Sequence, residues 1–279
     1  MFPKAVDQHK PNHRLVPNGL GVIYVITSAA YLFLLHYFDA AGALPLAGCI
    51  LFGGFMGLVD DWVDLRWRYK AFLPIFASLP LAVQREAIPE ATKMATYIFG
   101  KIDFGIYFYI IIIPIIVTAT TNTVNQLGGL NGLETICPSV VMIGLVITSN
   151  VGILLFFPLL IYLVLAFLNF SGKIFVGNTG TFAVGITLAS YAIIANNEQT
   201  LLISILPFIL NSSLILVNVF FFRRTARLVV EGAKLHSESR RSLVTLITYR
   251  KPLTERTLVS LVSLLVALST LAAVAVWLL

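Results

Sequence analysis

Six stretches of this chain, residues 19–38, 42–59, 104–121, 151–170, 199–222 and 257–279, contain no Asp, Glu, Lys or Arg. Each has the roughly 17–25 mostly apolar residues that a helix needs to cross a bilayer. Residues 135–150 and 179–197 are also free of charge and somewhat short, and 71–84 is interrupted by Pro74 and Pro80. Together these runs predict nine crossings. Composition agrees, with 58% hydrophobic and 11% charged residues against roughly 45–50% and 25% in soluble domains. Disorder, a soluble core and a secreted disulfide scaffold are thereby excluded. Cys49 and Cys137 lie inside apolar runs and read as small buried side chains with no disulfide or metal role.

The charges test the crossing count, because cytoplasmic loops collect Lys and Arg. With nine spans and the N-terminus inside, sixteen of the nineteen basic residues fall on the inner side, leaving Arg85, Lys93 and Lys101 outside. The net charge of +6 is then a topology signal rather than a sign of nucleic acid. The first eighteen residues are polar and the first apolar run is too long for the core of a signal peptide, so no cleavable signal is expected. There is no internal repeat, and residues 1–279 read as one membrane-embedded domain.

Three polar clusters sit at inner ends of these runs. Asp60 and Asp61 are adjacent, Asp64 follows one helical turn later, and Trp67, Arg66, Arg68 and Lys70 come next. Neighbouring carboxylates repel unless a cation or a bound base lies between them, so the pair suggests metal handling or proton abstraction, with Lys70 placed to hold phosphate. The second cluster, residues 121–134, carries Asn122, Asn125 and Asn131 with Gly128, Gly129, Gly132 and Glu134. Asn122 and Asn125 share a helix side, and the glycines permit a close backbone approach to a ligand. The third, residues 172–181, has the Gly and Thr content of a turn that opens a helix, where free N–H groups favour phosphate. Weaker signals come from the N-terminal loop with Asp7, His9, Lys10, Pro11, Asn12, His13 and Arg14, and from the loop with His236, Arg240 and Arg241. Acids, amides, a lysine and Gly-rich turns on one face fit a metal-assisted phosphoryl transfer between a soluble anion and a lipid headgroup. A pore would also need polar residues at mid-span depth.

In order and spacing these motifs resemble the polyprenyl-phosphate N-acetylhexosamine-1-phosphate transferases of glycosyltransferase family 4, above all the eukaryotic and archaeal dolichyl-phosphate branch. The resemblance rests on Asp60-Asp61 running to Lys70, on Asn122 through Glu134, and on Phe175-Val176-Gly177-Asn178-Thr179. It implies an all-α, polytopic membrane enzyme with its active site on the cytoplasmic face. It further implies transfer of N-acetylglucosamine 1-phosphate from UDP-N-acetylglucosamine to a polyprenyl (dolichyl) phosphate with release of UMP, the first lipid-linked step of N-glycosylation. By the same resemblance Asp60, Asp61 and Lys70 are catalytic, Asn125 and Asn178 hold Mg²⁺ (Mn²⁺ as the alternative), and Gly129 and Asn131 bind the uracil end. Lys10, Asn122, Trp67, Glu134, His236 and Arg240 complete the expected substrate contacts.

This chain departs from the family pattern in having Asn178 where Asp is usual, Asn18 where an acid often follows the proline, and nine runs where ten spans are usual, the first family helix normally preceding the Lys-Pro motif. Compact loops with eukaryote-like motifs suggest an archaeal source. The expected partners are the nucleotide sugar, the lipid phosphate and membrane lipid, with no nucleic acid and with a homodimer as the assembly to test. The alternatives are the same chemistry on a cell-wall or surface-polymer precursor, an inactive relative, and a nucleotide-sugar or cation transporter.

Overall fold

The computed structural model describes residues 2–8, 10, 14–83, 92–96 and 100–279. His9, residues 11–13 and Arg85 lie outside the described residues. A short hairpin, β1 (Lys4–Val6) and β2 (Leu15–Pro17), leads into α1 (Gly21–Tyr37) and α2 (Ala43–Val63). Short helices α3 (Trp67–Phe72), α4 (Pro74–Ala77) and α5 (Leu79–Val83) follow. After the hairpin β3 (Lys93–Thr96) and β4 (Gly100–Asp103), a π-helical turn at Phe108–Ile112 runs into α6 (Ile113–Gln126). Then come α7 (Leu133–Ile147), α8 (Ile153–Phe170), α9 (Gly177–Ile194), α10 (Glu198–Ser204) and α11 (Leu206–Phe222). A three-stranded sheet of β5 (Val229–Glu231), β6 (Lys234–His236) and β7 (Leu253–Thr254), with α12 (Leu243–Ile247), precedes the final α13 (Glu255–Leu278).

The chain is mostly helical, and its small sheets are additions that the all-α expectation did not contain. Among the described residues, α2, the stretch Phe108–Gln126, α8 and α13 are long and apolar enough to cross a membrane, and α10 with α11 would make a fifth span bent by 61°. That bend falls where Pro207, near the start of α11, cannot supply an N–H to continue the preceding helix. The described part of run 71–84, residues 71–83, is likewise not one helix, because Pro74 opens α4 and Pro80 is the second residue of α5. Large apolar side chains such as Phe156, Val164, Phe167, Leu264 and Leu268 are exposed on the outer helices, the pattern of a surface that faces lipid.

Helix α9 is the hub. Every residue from Thr179 to Ile194 is buried, as expected of a helix that is apolar all round. In lipid, helices associate through close packing, so small residues sit where they meet. A methyl group at Gly57 of α2 would lie 2.3 Å from the carbonyl oxygen of Asn178, and one at Gly21 of α1 would lie 2.2 Å from the Cα of Gly180. These contacts bring the start of α1 and the C-terminal part of α2 directly against the first turn of α9.

Gly57→Val should therefore push α2 off α9 and destabilise the protein by about 1–3 kcal/mol, the usual cost of overpacking. The check is a lowered midpoint of thermal unfolding in detergent relative to a Val substitution on the lipid-facing side.

Candidate active site

Asp61, in the last turn of α2, reaches across to the start of α9. Its Oδ1 accepts a hydrogen bond from the backbone N–H of Asn178 (2.8 Å), and its Oδ2 accepts from the N–H (3.0 Å) and Oγ1 (2.7 Å) of Thr179. The first N–H groups of a helix have no partner within it and carry partial positive charge, so a carboxylate there is favourable. The N–H groups that the sequence suggested were free for phosphate are held by Asp61.

Asp60 turns elsewhere, since successive helix positions point about 100° apart. Its Oδ1 accepts from Lys70 Nζ at 2.9 Å and from the N–H of Leu65 at 2.9 Å, while its Oδ2 is buried with no partner among the described residues. Lys70 also lies 3.3 Å from Asp64. Burial alone would lower the Lys70 pKa, but the hydrogen bond and charge of Asp60, helped by Asp64, outweigh it and leave the pKa raised. Repulsion between the adjacent acids is thus relieved on two sides, by a lysine for one and by a helix end for the other.

Beside Asp61 lies a cavity of about 390 Å³. Carboxylates Asp7, Asp61 and Glu134 line it together with the amides of Asn18, Asn125, Asn131 and Asn178, and among the described residues no Lys or Arg does. Asn125 Oδ1 accepts from Thr181 Oγ1 at 2.6 Å, joining α6 to α9. Gly129 has φ +102°, a conformation that L side chains rarely adopt, and it lets the loop between α6 and α7 form one wall. Asn169 braces that loop from α8. Its Oδ1 accepts from the Gly132 N–H (2.7 Å), and its Nδ2 donates to Ile174 O (2.9 Å) and Glu134 Oε1 (3.3 Å). A second cavity of about 480 Å³ shares Asn18 and Asp61 with the first and is otherwise lined by Lys4 and by mostly apolar residues, including Phe2, Val22, Leu58 and Trp62.

Of the residues singled out in the sequence, Asp61, Asn125, Gly129, Asn131, Glu134 and Asn178 meet in this cavity. Asp60, Lys70, Lys10, Asn122, Trp67, His236 and Arg240 do not line it. Asn122 donates its amide to Ala71 O (3.1 Å) and Thr118 O (2.9 Å). A three-residue step leaves side chains roughly 60° apart, enough to send Asn122 and Asn125 to different neighbours. Trp67 packs edge-on to Phe220 with ring centroids 5.5 Å apart. His236 lies on β6, 3.8 Å from Glu231, and the Arg240 guanidinium stacks 4.1 Å from the Tyr249 ring. Both belong to the sheet region, whose Ala226, Leu228 and Ser242 enclose a smaller cavity with Gly128 and Gly129. Lys10 pairs with Glu255 at 2.5 Å.

Sequence reading missed Asn169 and Glu255. Asn169 was detectable as the one carboxamide in an otherwise apolar run, a costly residue in a membrane. Glu255 resembled an ordinary acid at a helix start.

Residues 43–196 match Glycosyl transferase family 4. The chain belongs to this family. It is 32% identical over 219 residues to a protein of Saccharolobus solfataricus provisionally named UDP-N-acetylglucosamine–dolichyl-phosphate N-acetylglucosaminephosphotransferase, an alignment covering 73% of this chain and 66% of that one. A Dictyostelium discoideum protein of the same activity name is 32% identical over 193 residues, 56% of this chain and 47% of its own length. A phospho-N-acetylmuramoyl-pentapeptide-transferase of Dictyoglomus turgidum is 28% identical over 257 residues, 84% and 78% of the two chains. The chain thus spans slightly under two thirds of the first relative and about half of the second. Family 4 enzymes are multi-pass membrane transferases that move a sugar 1-phosphate to a polyprenyl phosphate, and the matched segment holds Asp61, Asn125, Gly129, Asn131, Glu134 and Asn178.

Lys70→Met should strand the buried Asp60 carboxylate and cost about 3 kcal/mol of stability, with Asp60→Asn in the same chain restoring part of it in a double-mutant cycle. Because the Lys70 pKa is raised, the pair's contribution is complete below the ordinary lysine pKa. It fades only as pH climbs through the raised value, so unfolding measured between pH 7 and 9 should show no loss from this source.

Proposed function

We propose that this chain transfers N-acetylglucosamine 1-phosphate from UDP-N-acetylglucosamine to a polyprenyl phosphate of the dolichyl type, releasing UMP. One observation carries the reading. A polar cavity rich in carboxylates and amides adjoins a largely apolar one, and Asp61 lines both. A nucleotide sugar suits the first, and a phosphate on a hydrocarbon chain suits the second, where Lys4 offers a positive charge. The relatives from S. solfataricus and D. discoideum favour this donor and acceptor over other members of the family.

The polar cavity also bears on the metal. Burial pushes the Glu134 pKa up to about 7 and leaves that group partly neutral. The carboxylates of Asp7 and Asp61 would still repel a diphosphate unless a cation intervenes, and no Lys or Arg lines the cavity among the described residues. Nor do these residues contain a group of three or more His, Cys, Asp or Glu able to hold a metal alone. Hard oxygen donors, few carboxylates and completion of the shell by substrate phosphates are what Mg²⁺ prefers, so the donor set fits Mg²⁺, with Mn²⁺ as a substitute. Asp61, Asn125 and Asn178 would hold it, and when bound it would neutralise charge on the diphosphate oxygens.

An oxygen of the lipid phosphate attacks the β-phosphorus, the bond from that phosphorus to the bridging oxygen breaks, and UMP leaves. A phosphate monoester is largely ionised near neutral pH, with a second pKa of about 6, so little help from a base is required. Asp61 acts instead by fixing the first turn of α9, and with it Asn178, against the reacting groups. Asp60 works at one remove, tying Lys70 and the α2 end together. In this reading the chain crosses the membrane nine times, its N-terminus is inside and the site faces the cytoplasm.

Purified protein with UDP-N-acetylglucosamine, Mg²⁺ and a polyprenyl phosphate is expected to release UMP. Absence of UMP above background across lipid lengths would sink the proposal, and UMP only with UDP-N-acetylmuramoyl-pentapeptide would transfer it to the cell-wall reaction. Asp61→Asn should reduce turnover at least about 100-fold, the scale of losing an organising group at the reaction centre. Asn178→Asp, which adds a charge to the set, should shift the Mg²⁺ titration to lower concentration, and an unmoved titration would remove Asn178 from the metal shell.

A further inference from the structure

Two apolar helices, α2 and α11, end in the same order of residue types. Trp62 and Val63 close α2 and are followed by Arg66, Trp67 and Arg68, while Phe220, Phe221 and Phe222 close α11 and are followed by Arg223 and Arg224. Aromatic and basic side chains at the end of an apolar helix suit the headgroup level of a bilayer, which accommodates an apolar body and a positive charge together. Far apart in the chain, the two ends meet in the fold. The Trp67 ring packs edge-on to Phe220 at 5.5 Å, and the Arg68 guanidinium lies 5.9 Å from the centre of the Trp67 ring. The face so formed is open, with Trp67 57% exposed, Phe221 80% and Phe222 62%, and with Arg66, Arg68, Arg223 and Arg224 exposed as well.

Charge sets this face apart. Among the described residues none of these four arginines forms an ion pair, whereas Lys10 and Lys70 are both engaged by carboxylates. Asp64, the nearest acid in sequence, turns to Lys70. Like charges gathered on one face repel unless an anion lies among them, and the exposed aromatic rings between them favour an anion carried on hydrocarbon. We propose that α3 and the ends of α2 and α11 form a binding face for anionic phospholipid headgroups, the arginines meeting the phosphodiester charge and Trp67, Phe221 and Phe222 entering the acyl-chain boundary. Helix α3 buries none of its own residues and is held by Trp67 on Phe220, by Lys70 on Asp60 and Asp64, and by the Asn122 amide on Ala71 O. A headgroup shared between Arg68 and the Arg223–Arg224 pair adds a further tie, and through Lys70 it steadies the α2 end on which Asp60 and Asp61 stand. The face is distinct from both cavities described above, since none of the four arginines lines either one.

The full chain in lipid nanodiscs tests this through Trp67, one of three tryptophans. With Trp62→Phe and Trp277→Phe in place, Trp67 is the remaining indole. Phosphatidylglycerol or phosphatidylcholine with brominated acyl chains, diluted into plain phosphatidylcholine, serves as the quencher. Brominated phosphatidylglycerol should reach half-maximal quenching at a mole fraction at least about tenfold below that of brominated phosphatidylcholine. Arg224→Gln should cut this preference about fivefold, the worth of one basic side chain at an anionic surface, and raising the salt to about 1 M should remove most of it. Lys93→Gln takes the same charge from the β3–β4 hairpin and should leave the preference unmoved. An equal loss there overturns the proposal, because net charge would then account for the effect. Equal quenching by the two lipids overturns it too, as does quenching by neither, which would mean that protein such as a second copy of this chain covers Trp67. Loss of the preference on adding inorganic phosphate at constant ionic strength would reassign the arginines to a soluble anion and also overturn it. The unmodified chain, which needs no variant to fold, should retain phosphatidylglycerol over phosphatidylcholine in native mass spectrometry, and equal retention counts against the proposal in the same way. Transferase activity enters none of these readouts, so the proposed function stands or falls separately.

Discussion

The carboxylate of Asp61 against the first turn of α9 is the contact on which the rest of the site depends. It is possible because Gly57, one turn earlier on α2, removes the side chain that would otherwise keep the two helices apart. Close approach and electrostatic capping therefore come from the same five-residue stretch, Gly57 to Asp61. The cap satisfies N–H groups that would be expensive to leave bare near a membrane, and it aligns Asn178 and Thr181 with Asn125 on α6. A shift of α2 would disturb all of these at once.

Around that contact the fold separates roles that look shared in the sequence. Asp60 and Asp61 are chemically the same, yet one is neutralised by Lys70 and the other by a helix end, and only the second meets the cavity. The lysine most suited to holding phosphate is occupied in anchoring Asp60. What remains facing the cavity is acidic and amide-rich, an arrangement suited to gathering an anionic ligand only in company with a cation.

Much of this was legible beforehand, and for clear physical reasons. Charge-free runs are visible because the bilayer tolerates few ionised groups, and polar clusters at their ends stand out against that background. Asn125, Gly129, Asn131, Glu134 and Asn178 were found this way. The break at Pro207 and the fragmentation of residues 71–84 were signalled by prolines, but hydropathy alone cannot say whether a proline kinks a span or ends it. The small sheets were missed because two- to four-residue strands leave no periodic trace.

The sequence by itself determined the membrane setting, the order of the helices and the residue types from which a phosphoryl-transfer site could be built, since these follow from local hydropathy and from motifs contiguous in the chain. Only the tertiary structure decided which way each of those residues points and whom it meets. The pairing of Asp61 with Asn178 and Thr179, of Asp60 with Lys70, and of Asn131 with Asp7 and Glu255 spans up to 124 residues. Such pairings depend on how helices pack and rotate against one another, which is set by contacts such as Gly57 with α9 that no local pattern encodes.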